Sequence, residues 1–408
     1  MQEFVARQLA IASRDEAERE LARIGADPGG IARMADKMLS RCIRLQHLQC
    51  RQANIIKQEM LSLGGDAAVA RGTVACSIEQ TDCILIGTDK QLHNLGHRLA
   101  CQPFGLAQIG SCLLALLDGR HALREWKTAR CSLPLDRPLI MGILNVTPDS
   151  FSDGGLHHGC DDAVDHALQM IDEGADIIDI GGESTRPGAA AVPADLELAR
   201  VMPVIKKLVR LRDRIVISID TWKSDVAEAA LDAGAGIIND ISGLTFDSAM
   251  AGVASRSRAG LVVMHTRGRP ESMQQNTRYE DTLEAVAEGL RHSCTLALEA
   301  GVMRESIAID PGIGFGKDAA GNIELLRRLR ELTSPGFPLL IGTSRKSFIG
   351  KILGREPDQR LFGTAATVAL AVWNGAAILR VHDVRAMRDA ALTAHAVMTG
   401  TGTDGPVT

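Results

Sequence analysis

Polar side chains recur in the last two thirds of the chain, each time directly after a short apolar run. They occupy eight positions along the sequence: Asn145, 183–186, Asp220, Asn239 with Asp240, His265, Asp310, 344–346 and 380–383. Asp, Asn, Ser and Thr side chains also cap helices, which would explain a single member of the set. Capping does not account for a polar group after all eight runs, so we expect the run ends to meet in one site.

Three of these side chains would suit the edge of a flat heterocycle. Asp310 would contribute a carboxylate, which only accepts hydrogen bonds, and Asn239 an amide, which donates and accepts them. Lys346 would add a mobile cationic donor. The sequence therefore predicts a pocket for a guanidine-like ring edge.

Two further side chains would suit an anion. Arg380 and His382 alternate along one strand and therefore face the same side. Since Arg binds phosphate oxygens through two N–H groups, we predict a pocket for a phosphate or diphosphate group. The alternative for Arg380 is a surface ion pair with Asp383.

Glycine-rich loops lie close to these positions. The segment 311–317 lacks both nucleotide-binding glycine spacings, so we interpret it as a tight turn or a close approach to a flat ligand. The segments 148–155 and 184–188 follow the first two apolar runs and are rich in Gly, Ser and Asp. We predict that both are mobile lids, with plain irregular connections as the alternative.

Short runs of β type alternate with longer helical segments after residue 138, as a parallel sheet with crossover helices requires. The eight predicted strands span 139–144, 176–180, 215–219, 236–239, 260–264, 307–310, 338–341 and 377–381. Eight such units fit a closed barrel, whose active site forms at the carboxyl ends of its strands. The predicted fold class is therefore α/β, a (β/α)8 TIM barrel preceded by a small N-terminal α/β domain.

The chain of 408 residues is longer than the roughly 250 residues that one barrel needs. Two prolines and a charged pair at 133–138 mark the boundary. We predict an N-terminal domain of unknown function at 1–133, the catalytic barrel at 134–400 and a flexible tail at 401–408. Within the first domain we predict helices at 15–24 and 49–63, a strand at 83–87 and a further helix from Lys90.

Composition excludes several classes of protein. The net charge of −5, without a long run of one sign, argues against a nucleic-acid partner. The apolar runs are too short to span a membrane, and no secretory signal pattern is present, so a cytoplasmic protein is expected. Nine cysteines without a Cys-x-x-Cys pair predict reduced, mostly buried thiols.

Seven segments, in order, resemble the signatures of the dihydropteroate synthase family. They are 142–155, 181–188, 218–221, 238–240, 310–317, 344–347 and 380–383. The resemblance covers roughly 139–398 and leaves the first third outside. One local difference is the segment 265–270, His-Thr-Arg-Gly-Arg-Pro, where the family more often has Met after the His and Thr before the Pro. No expected ligand contact depends on this segment.

The resemblance implies a reaction. Members of the family condense 6-hydroxymethyl-7,8-dihydropterin diphosphate with 4-aminobenzoate, giving 7,8-dihydropteroate and diphosphate, a step of folate synthesis that sulfonamides block. Mg²⁺ and cationic side chains would neutralise the charge that builds on the diphosphate as the pterin C–O bond breaks. The arylamine nitrogen would then attack, while the two lids exclude water. A homodimer is expected by family analogy.

The resemblance also implies site residues. The pterin diphosphate is expected at Thr185, Asp220, Asn239, Asp310, Lys346, Arg380 and His382. The 4-aminobenzoate is expected at Thr185, Arg186, Pro187, Phe315 and Ser347. The implied catalytic residues are Asp220, Lys346, Thr185 and Arg186, with Asp220 stabilising the developing pterin cation. Asn145 is expected to bind Mg²⁺.

Two other functions are compatible with parts of this pattern. A pterin-binding methyltransferase that serves a corrinoid shares the barrel and the pterin-binding acid and amide, but it has no use for the segment 184–188 or for a diphosphate clamp. A pterin-binding or regulatory protein without turnover would show loss of the loop and anion-pocket residues. All of these residues are present, which favours the synthase.

Overall fold

The computed structural model describes residues 6–119, 123–147, 156–185, 188–211 and 215–401. Contacts divide the chain into two units, Met1–His121 and Ala122–Thr408. This division falls before the boundary predicted at 133/134, because a short hairpin that precedes the first barrel strand belongs with the barrel. The predicted tail, apart from its first residue, lies outside the described residues.

The first unit is a three-stranded antiparallel sheet with helices. In chain order its elements are α1 (Arg14–Arg23), α2 (Pro28–Met38), β1 (Ser40–Gln49), α3 (Cys50–Ser62), β2 (Asp66–Val69), β3 (Gln80–Thr88), α4 (Asp89–Ala100) and α5 (Leu106–Leu117). The central strand β3 pairs with β1 and β2. Its buried Cys83 and Leu85 pack in one core with Ile56 of α3 and Leu95 of α4. The predicted small α/β domain is confirmed.

The second unit alternates strands and helices. Its elements are β4 (Glu125–Lys127), β5 (Ser132–Pro134), β6 (Leu139–Asn145), α6 (Leu156–Asp172), β7 (Ile177–Gly181), α7 (Ala194–Leu211), β8 (Val216–Asp220), α8 (Ser224–Asp232), β9 (Ile237–Asp240), α9 (Met250–Arg256), β10 (Gly260–Met264), α10 (Thr282–Glu299), β11 (Ile307–Asp310), α11 (Ala319–Arg327), β12 (Leu340–Ile341), α12 (Ser347–Leu353), α13 (Leu361–Trp373), β13 (Ile378–Val381) and α14 (Val384–Thr399). Short 3-10 turns lie at Arg304–Ser306, Leu329–Thr333 and Pro357–Gln359.

Strands β6 to β13 form one parallel sheet of eight strands, in the order β11-β10-β9-β8-β7-β6-β13-β12. A parallel bridge between Ile309 of β11 and Leu339, the residue before β12, closes the ring. All eight predicted strands are present, and helices separate them. The predicted (β/α)8 barrel is therefore confirmed.

The amino-terminal end of the barrel is closed by apolar side chains. Those packed there are Trp126, Leu139, Met141, Ile177, Val216, Ile237, Val262, Ala308, Leu340 and Ile378. Trp126 comes from the β4–β5 hairpin, is fully buried, and donates its Nε1–H to the carbonyl of Ser306 at 2.8 Å. Because alternate strand residues face the interior, the next inward positions, such as Asp179 and Ser218, lie above this apolar layer.

The outward-facing strand residues pack against the surrounding helices. Ile178 and Ile180 of β7, for example, share a core with Val201 and Val204 of α7. Among the described residues, no helix is both long and apolar enough to cross a membrane.

The cysteines differ from expectation. All nine are free, but only Cys50, Cys83 and Cys294 are buried and five are exposed. The prediction of mostly buried thiols is wrong, because residues such as Cys42 lie on the face of a strand that the helices do not cover.

Candidate active site

The carboxyl ends of the barrel strands carry the polar residues that the sequence predicts there. Asn145, Asp220, Asp240 and Asp310 are the last residues of β6, β8, β9 and β11. In a parallel barrel these ends open on one side, so the side chains of Asn145, Asp220 and Asp310 surround a common mouth. The carboxylate of Asp240 instead accepts the backbone N–H groups of Ser242 and Leu244.

Two carboxylates and one guanidinium form a buried group that we call the mouth cluster: Asp179, Asp220 and Arg380. Arg380 donates from Nε to Asp179 Oδ2 and from Nη2 to Asp220 Oδ2, both at 2.6 Å. The two carboxylate side chains are at most 5% exposed and that of Arg380 is 18% exposed. Arg380 therefore forms no surface pair with Asp383, and its charge is shared with carboxylates inside the barrel.

The electrostatics of the mouth cluster are unusual. Burial raises the pKa of Asp220 to about 7, although Arg380 opposes the rise and Asp179 adds to it. Burial works against the charge of Arg380, but Asp179 and Asp220 outweigh it and raise its pKa. The Oδ1 atoms of both carboxylates are buried and have no hydrogen-bond partner among the described residues. Buried acceptors without partners are costly, so these two atoms are placed for a ligand or a water molecule.

Asn239 and Asp310 lie at the same mouth. Asn239 is 3% exposed and donates from Nδ2 to Asp179 Oδ2 at 3.0 Å. Asp310 is 6% exposed, and its Oδ1 accepts the backbone N–H of Gly312 at 2.7 Å. Burial raises the pKa of Asp310, against the effect of that N–H and of nearby Lys346.

Lys346 is the residue before α12, and its side chain extends into the mouth. Its ammonium lies 4.2 Å from the centre of the Phe315 ring, and burial followed by repulsion from Arg380 lowers its pKa to about 8. A side chain at Gly314, where φ is +86°, would come within 3.0 Å of Lys346 Cδ, so this turn requires glycine. Ser347, the first residue of α12, is exposed beside Lys346.

His382 lies among cations. Burial, then the charges of Arg380 and Arg345, lower its pKa to about 4, so the ring is neutral near pH 7. Its Nδ1 lies 2.9 Å from Ser344 Oγ, which also accepts the backbone N–H of His382 at 3.2 Å. If the hydroxyl donates to Nδ1, the ring proton is on Nε2, where it can be donated to an anion. The ion pair with Asp383 is made by Arg345, at 2.6 Å.

Some of the expected site residues form no hydrogen bond to the mouth cluster within the described residues, and others lie outside those residues. Asn145 is half-buried at the end of β6, and Thr185 is half-buried after β7. No hydrogen bond joins either side chain to the mouth cluster within the described residues. Arg186 and Pro187, and the first predicted lid at 148–155, lie outside the described residues.

A second buried charge group, the loop cluster, consists of Glu183, Glu197 and Lys223. The Lys223 ammonium bonds to both carboxylates, and none of the three side chains is more than 12% exposed. Glu183 Oε1 also accepts the backbone N–H of Val192 at 3.2 Å. The cluster therefore anchors the β7–α7 connection, which carries Thr185.

The loop that contains Pro270 also forms hydrogen bonds to the β7–α7 connection. Gly188 donates its N–H to the carbonyl of Pro270 at 3.1 Å, and Ala191 donates to Glu271 Oε1 at 3.2 Å. The preceding Arg269 guanidinium lies 4.9 Å from the Trp222 ring and 4.7 Å from the Phe246 ring. The segment 265–270 thus supports the β7–α7 connection, a role that the sequence did not suggest.

Similarity to known proteins shows which family the chain belongs to. A family model described as pterin binding enzyme matches residues 141–382. A dihydropteroate synthase from Synechocystis is 51% identical over 252 residues, which are 62% of this chain and 87% of that protein. The chain belongs to the dihydropteroate synthase family.

A solved structure supports the dihydropteroate synthase assignment of the barrel. The enzyme from Clostridium difficile, crystallised in the presence of pteroic acid, is 51% identical with a TM-score of 0.61. The match covers 64% of this chain and 97% of that one.

A longer relative includes the first unit. A probable bifunctional folylpolyglutamate synthase/dihydropteroate synthase from Halobacterium salinarum is 42% identical over 390 residues, or 95% of this chain. The chain spans only 46% of that protein's length. Because the match covers nearly the whole chain, most of the first unit is shared with this relative.

Several residues of the mouth were not identified from the sequence. Asp179 lies within the apolar run of β7, and a single carboxylate in such a run is the signal that could have revealed it. Lys317 is 3% exposed and donates to the carbonyls of His265, Gly312 and Phe315 at 2.9 to 3.1 Å. A lysine at the end of a glycine-rich turn does not by itself indicate that its ammonium binds three loop carbonyls.

Proposed function

We propose that this chain catalyses the condensation of 6-hydroxymethyl-7,8-dihydropterin diphosphate with 4-aminobenzoate, forming 7,8-dihydropteroate and diphosphate. The observation that carries the proposal is the meeting of four buried or half-buried groups at the mouth of a barrel of this family. They are the carboxylates of Asp220 and Asp310, the amide of Asn239 and the ammonium of Lys346.

The pterin ring edge presents N–H donors next to ring acceptors, and these four groups are complementary to it. Asp310 keeps Oδ2 for the ring, because Oδ1 is bonded to Gly312. Asn239 keeps its amide oxygen, because its nitrogen is bonded to Asp179. Lys346 donates to a ring acceptor while its ammonium lies over Phe315.

The diphosphate lies on the side of His382. The neutral ring donates from Nε2, and Arg380, Arg345 and Lys346 supply positive charge around it. As the pterin C–O bond breaks, these groups stabilise the leaving diphosphate. The carboxylate of Asp220 stabilises the cation that remains on the pterin. The arylamine nitrogen then bonds to that carbon and releases a proton.

The 4-aminobenzoate ring lies between the β7–α7 connection and the turn at Phe315. Thr185, Arg186, Pro187, Phe315 and Ser347 line this part of the site by analogy with the family. Thr185 and Arg186 are proposed to orient the amine for attack, together with Lys346 on the pterin side. The exposed Ser347 leaves this end of the site open to solvent.

Mg²⁺ is the cofactor that the family implies. The described residues contain no group of three or more His, Cys, Asp or Glu side chains that could hold a metal ion. Mg²⁺ commonly keeps several water ligands and binds through one or two protein oxygens together with substrate phosphates. The amide oxygen of Asn145, at a strand end of the mouth, fits such a role. When bound, Mg²⁺ would neutralise charge on the leaving diphosphate.

By family analogy we also propose that the chain forms a homodimer. From the sequence patterns we propose a cytoplasmic protein that binds these two small substrates and neither nucleic acid nor membrane. Light scattering on the purified chain measures the mass in solution and tests the dimer directly.

The reaction is tested by following diphosphate release. Purified chain, Mg²⁺ and both substrates should release diphosphate, and omission of 4-aminobenzoate should abolish the release. Release at the same rate without 4-aminobenzoate would indicate hydrolysis and contradict the proposal. A rate of diphosphate release no higher than that of a boiled control would also contradict the proposal.

A further inference from the structure

Asp179 has no role in the site described by the family signatures, yet it occupies the centre of the mouth. It lies in the middle of β7, and its side chain is fully buried. The neighbouring Ile178 and Ile180 face outward into the core between strands and helices. An ionised carboxylate inside a barrel is costly unless charged or polar partners compensate it.

One oxygen of Asp179 joins two residues of the site. Oδ2 accepts both Arg380 Nε at 2.6 Å and Asn239 Nδ2 at 3.0 Å. A carboxylate can only accept, so the nitrogen of the Asn239 amide must face Asp179. The amide oxygen is therefore the atom of Asn239 that remains for a ligand.

Oδ2 of Asp179 also holds the Arg380 guanidinium in place. Arg380 donates along one edge of its planar fork, with Nε to Asp179 and Nη2 to Asp220. Two carboxylates at the spacing of the fork hold it in one plane and one position. Without Asp179, Arg380 would keep a single carboxylate partner and could rotate about it.

We propose that Asp179 is a positioning residue for the pterin, which fixes the amide orientation of Asn239 and the place of the Arg380 guanidinium. It thereby sets the pattern of donors and acceptors that the ring edge meets. The inference rests on the proposed function, because the ring is taken to be a pterin.

The chain offers a matched control in Asp176, three residues earlier and at the opposite end of the barrel. Its Oδ1 accepts Arg137 Nη2 at 2.7 Å, and its Oδ2 accepts Arg137 Nη1 at 3.0 Å. Oδ2 also accepts the backbone N–H of Ile140 at 2.8 Å. Asp176→Ala therefore removes an arginine-bonded carboxylate just before the same strand, without touching the mouth.

The experiment measures the affinity for unphosphorylated 6-hydroxymethyl-7,8-dihydropterin by calorimetry. Asp179→Ala removes the shared acceptor and should weaken binding at least about tenfold, as expected for a lost hydrogen bond to a charged group. Asp179→Asn can place its amide oxygen where Oδ2 lies, but it puts an N–H donor where Oδ1 lies, so it should recover most but not all of the binding that Asp179→Ala loses. Asp176→Ala should leave binding unchanged.

The pH dependence of kcat/KM provides a readout that a merely structural role would not move. Asp179 is one of the charges that raise the pKa of Asp220, so both Asp179 variants should shift the acid limb to lower pH. The other charged groups that act on Asp220 include Arg380, Lys346, Glu197 and Glu183, and all four remain in both variants. If Asp179→Ala fails to fold, the acid limb of the pH profile of Asp179→Asn still tests the inference.

Three results would overturn the inference while leaving the proposed function intact. They are pterin binding by Asp179→Ala within threefold of the wild type, an acid limb that does not move in Asp179→Asn, and an equal loss of binding in Asp176→Ala. A wild-type chain that neither binds the pterin nor releases diphosphate would instead contradict the proposed function.

Discussion

The mouth cluster and the loop cluster have the same composition, two buried carboxylates bridged by one cation, but they are built differently. In the mouth cluster, a planar guanidinium links two strands and leaves one oxygen of each carboxylate without a partner. In the loop cluster, a lysine ammonium links the β7–α7 connection to helix α7, and Glu183 uses its other oxygen on the backbone of Val192. Oε1 of Glu197 is buried without a partner among the described residues, as in the mouth cluster, but it lies on a helix. The comparison teaches that buried charge alone does not mark a catalytic group. A position on the strands that line the barrel mouth does.

The largest effect should follow from Arg380→Ala. Two buried carboxylates would lose their counter-charge, so the free energy of unfolding should fall by about 3–5 kcal/mol. Diphosphate release should fall by about 10²–10³-fold, because a preorganised group at the reacting centre is lost. Urea unfolding and steady-state assays measure the two effects. Arg345→Ala, which removes an exposed pair with Asp383, should cost no more than about 1 kcal/mol. Wild-type turnover in Arg380→Ala would remove the mouth cluster from the mechanism.

Lys223→Met should separate stability from chemistry. It leaves Glu183 and Glu197 without their cation, and the free energy of unfolding should again fall by about 3–5 kcal/mol. Turnover at saturating substrate should stay within about threefold of the wild type, while KM for 4-aminobenzoate rises because the connection that carries Thr185 is less ordered. A loss of kcat as large as in Arg380→Ala would show that the two clusters do not differ in function.

The mouth cluster should also make turnover depend on pH. With a pKa of about 7, Asp220 loses its ionised form as the pH falls through neutrality, so kcat/KM should fall too and approach a tenfold loss per pH unit well below 7. Asp220→Asn should have low activity without this limb. The folded state binds this proton more tightly than the unfolded state does, so Asp220 should lower the free energy of unfolding as the pH rises from about 4 to 7. An acid limb that survives in Asp220→Asn would assign it to another group.

The smallest effect should follow from Arg269→Ala, at the loop that supports the same connection. The contacts of Arg269 with Trp222 and Phe246 are exposed cation–π interactions, worth about 0.5–1 kcal/mol. KM for 4-aminobenzoate should rise by about two- to fivefold, with pterin affinity unchanged. Arg269→Lys keeps a cation over the rings and is the control. Equal loss of affinity for both substrates would contradict a local role.

The sequence predicted those parts of the molecule that follow from chain-local patterns. Eight apolar runs predicted the barrel strands, and the geometry of a parallel barrel then brought Asp220, Asn239 and Asp310 to one end. In the first unit, the helix after Thr88 could be expected because Thr88 and Gln91 form a capping box.

The partners of buried charges could not be predicted in this way. Arg380 bonds to Asp179, 201 positions earlier in the chain, and only the closed ring brings β13 near β7. Sequence spacing predicts which face a side chain lies on, and so it suggested an anion-binding Arg380. It does not predict which opposite charge lies across the barrel.

The most direct test of the central claim, that the mouth joins a pterin to an arylamine with loss of diphosphate, is mass spectrometry of the products. The purified chain with Mg²⁺, 6-hydroxymethyl-7,8-dihydropterin diphosphate and 4-aminobenzoate should form 7,8-dihydropteroate and diphosphate in equal amounts. Diphosphate accompanied only by 6-hydroxymethyl-7,8-dihydropterin, or no product at all, would contradict the account.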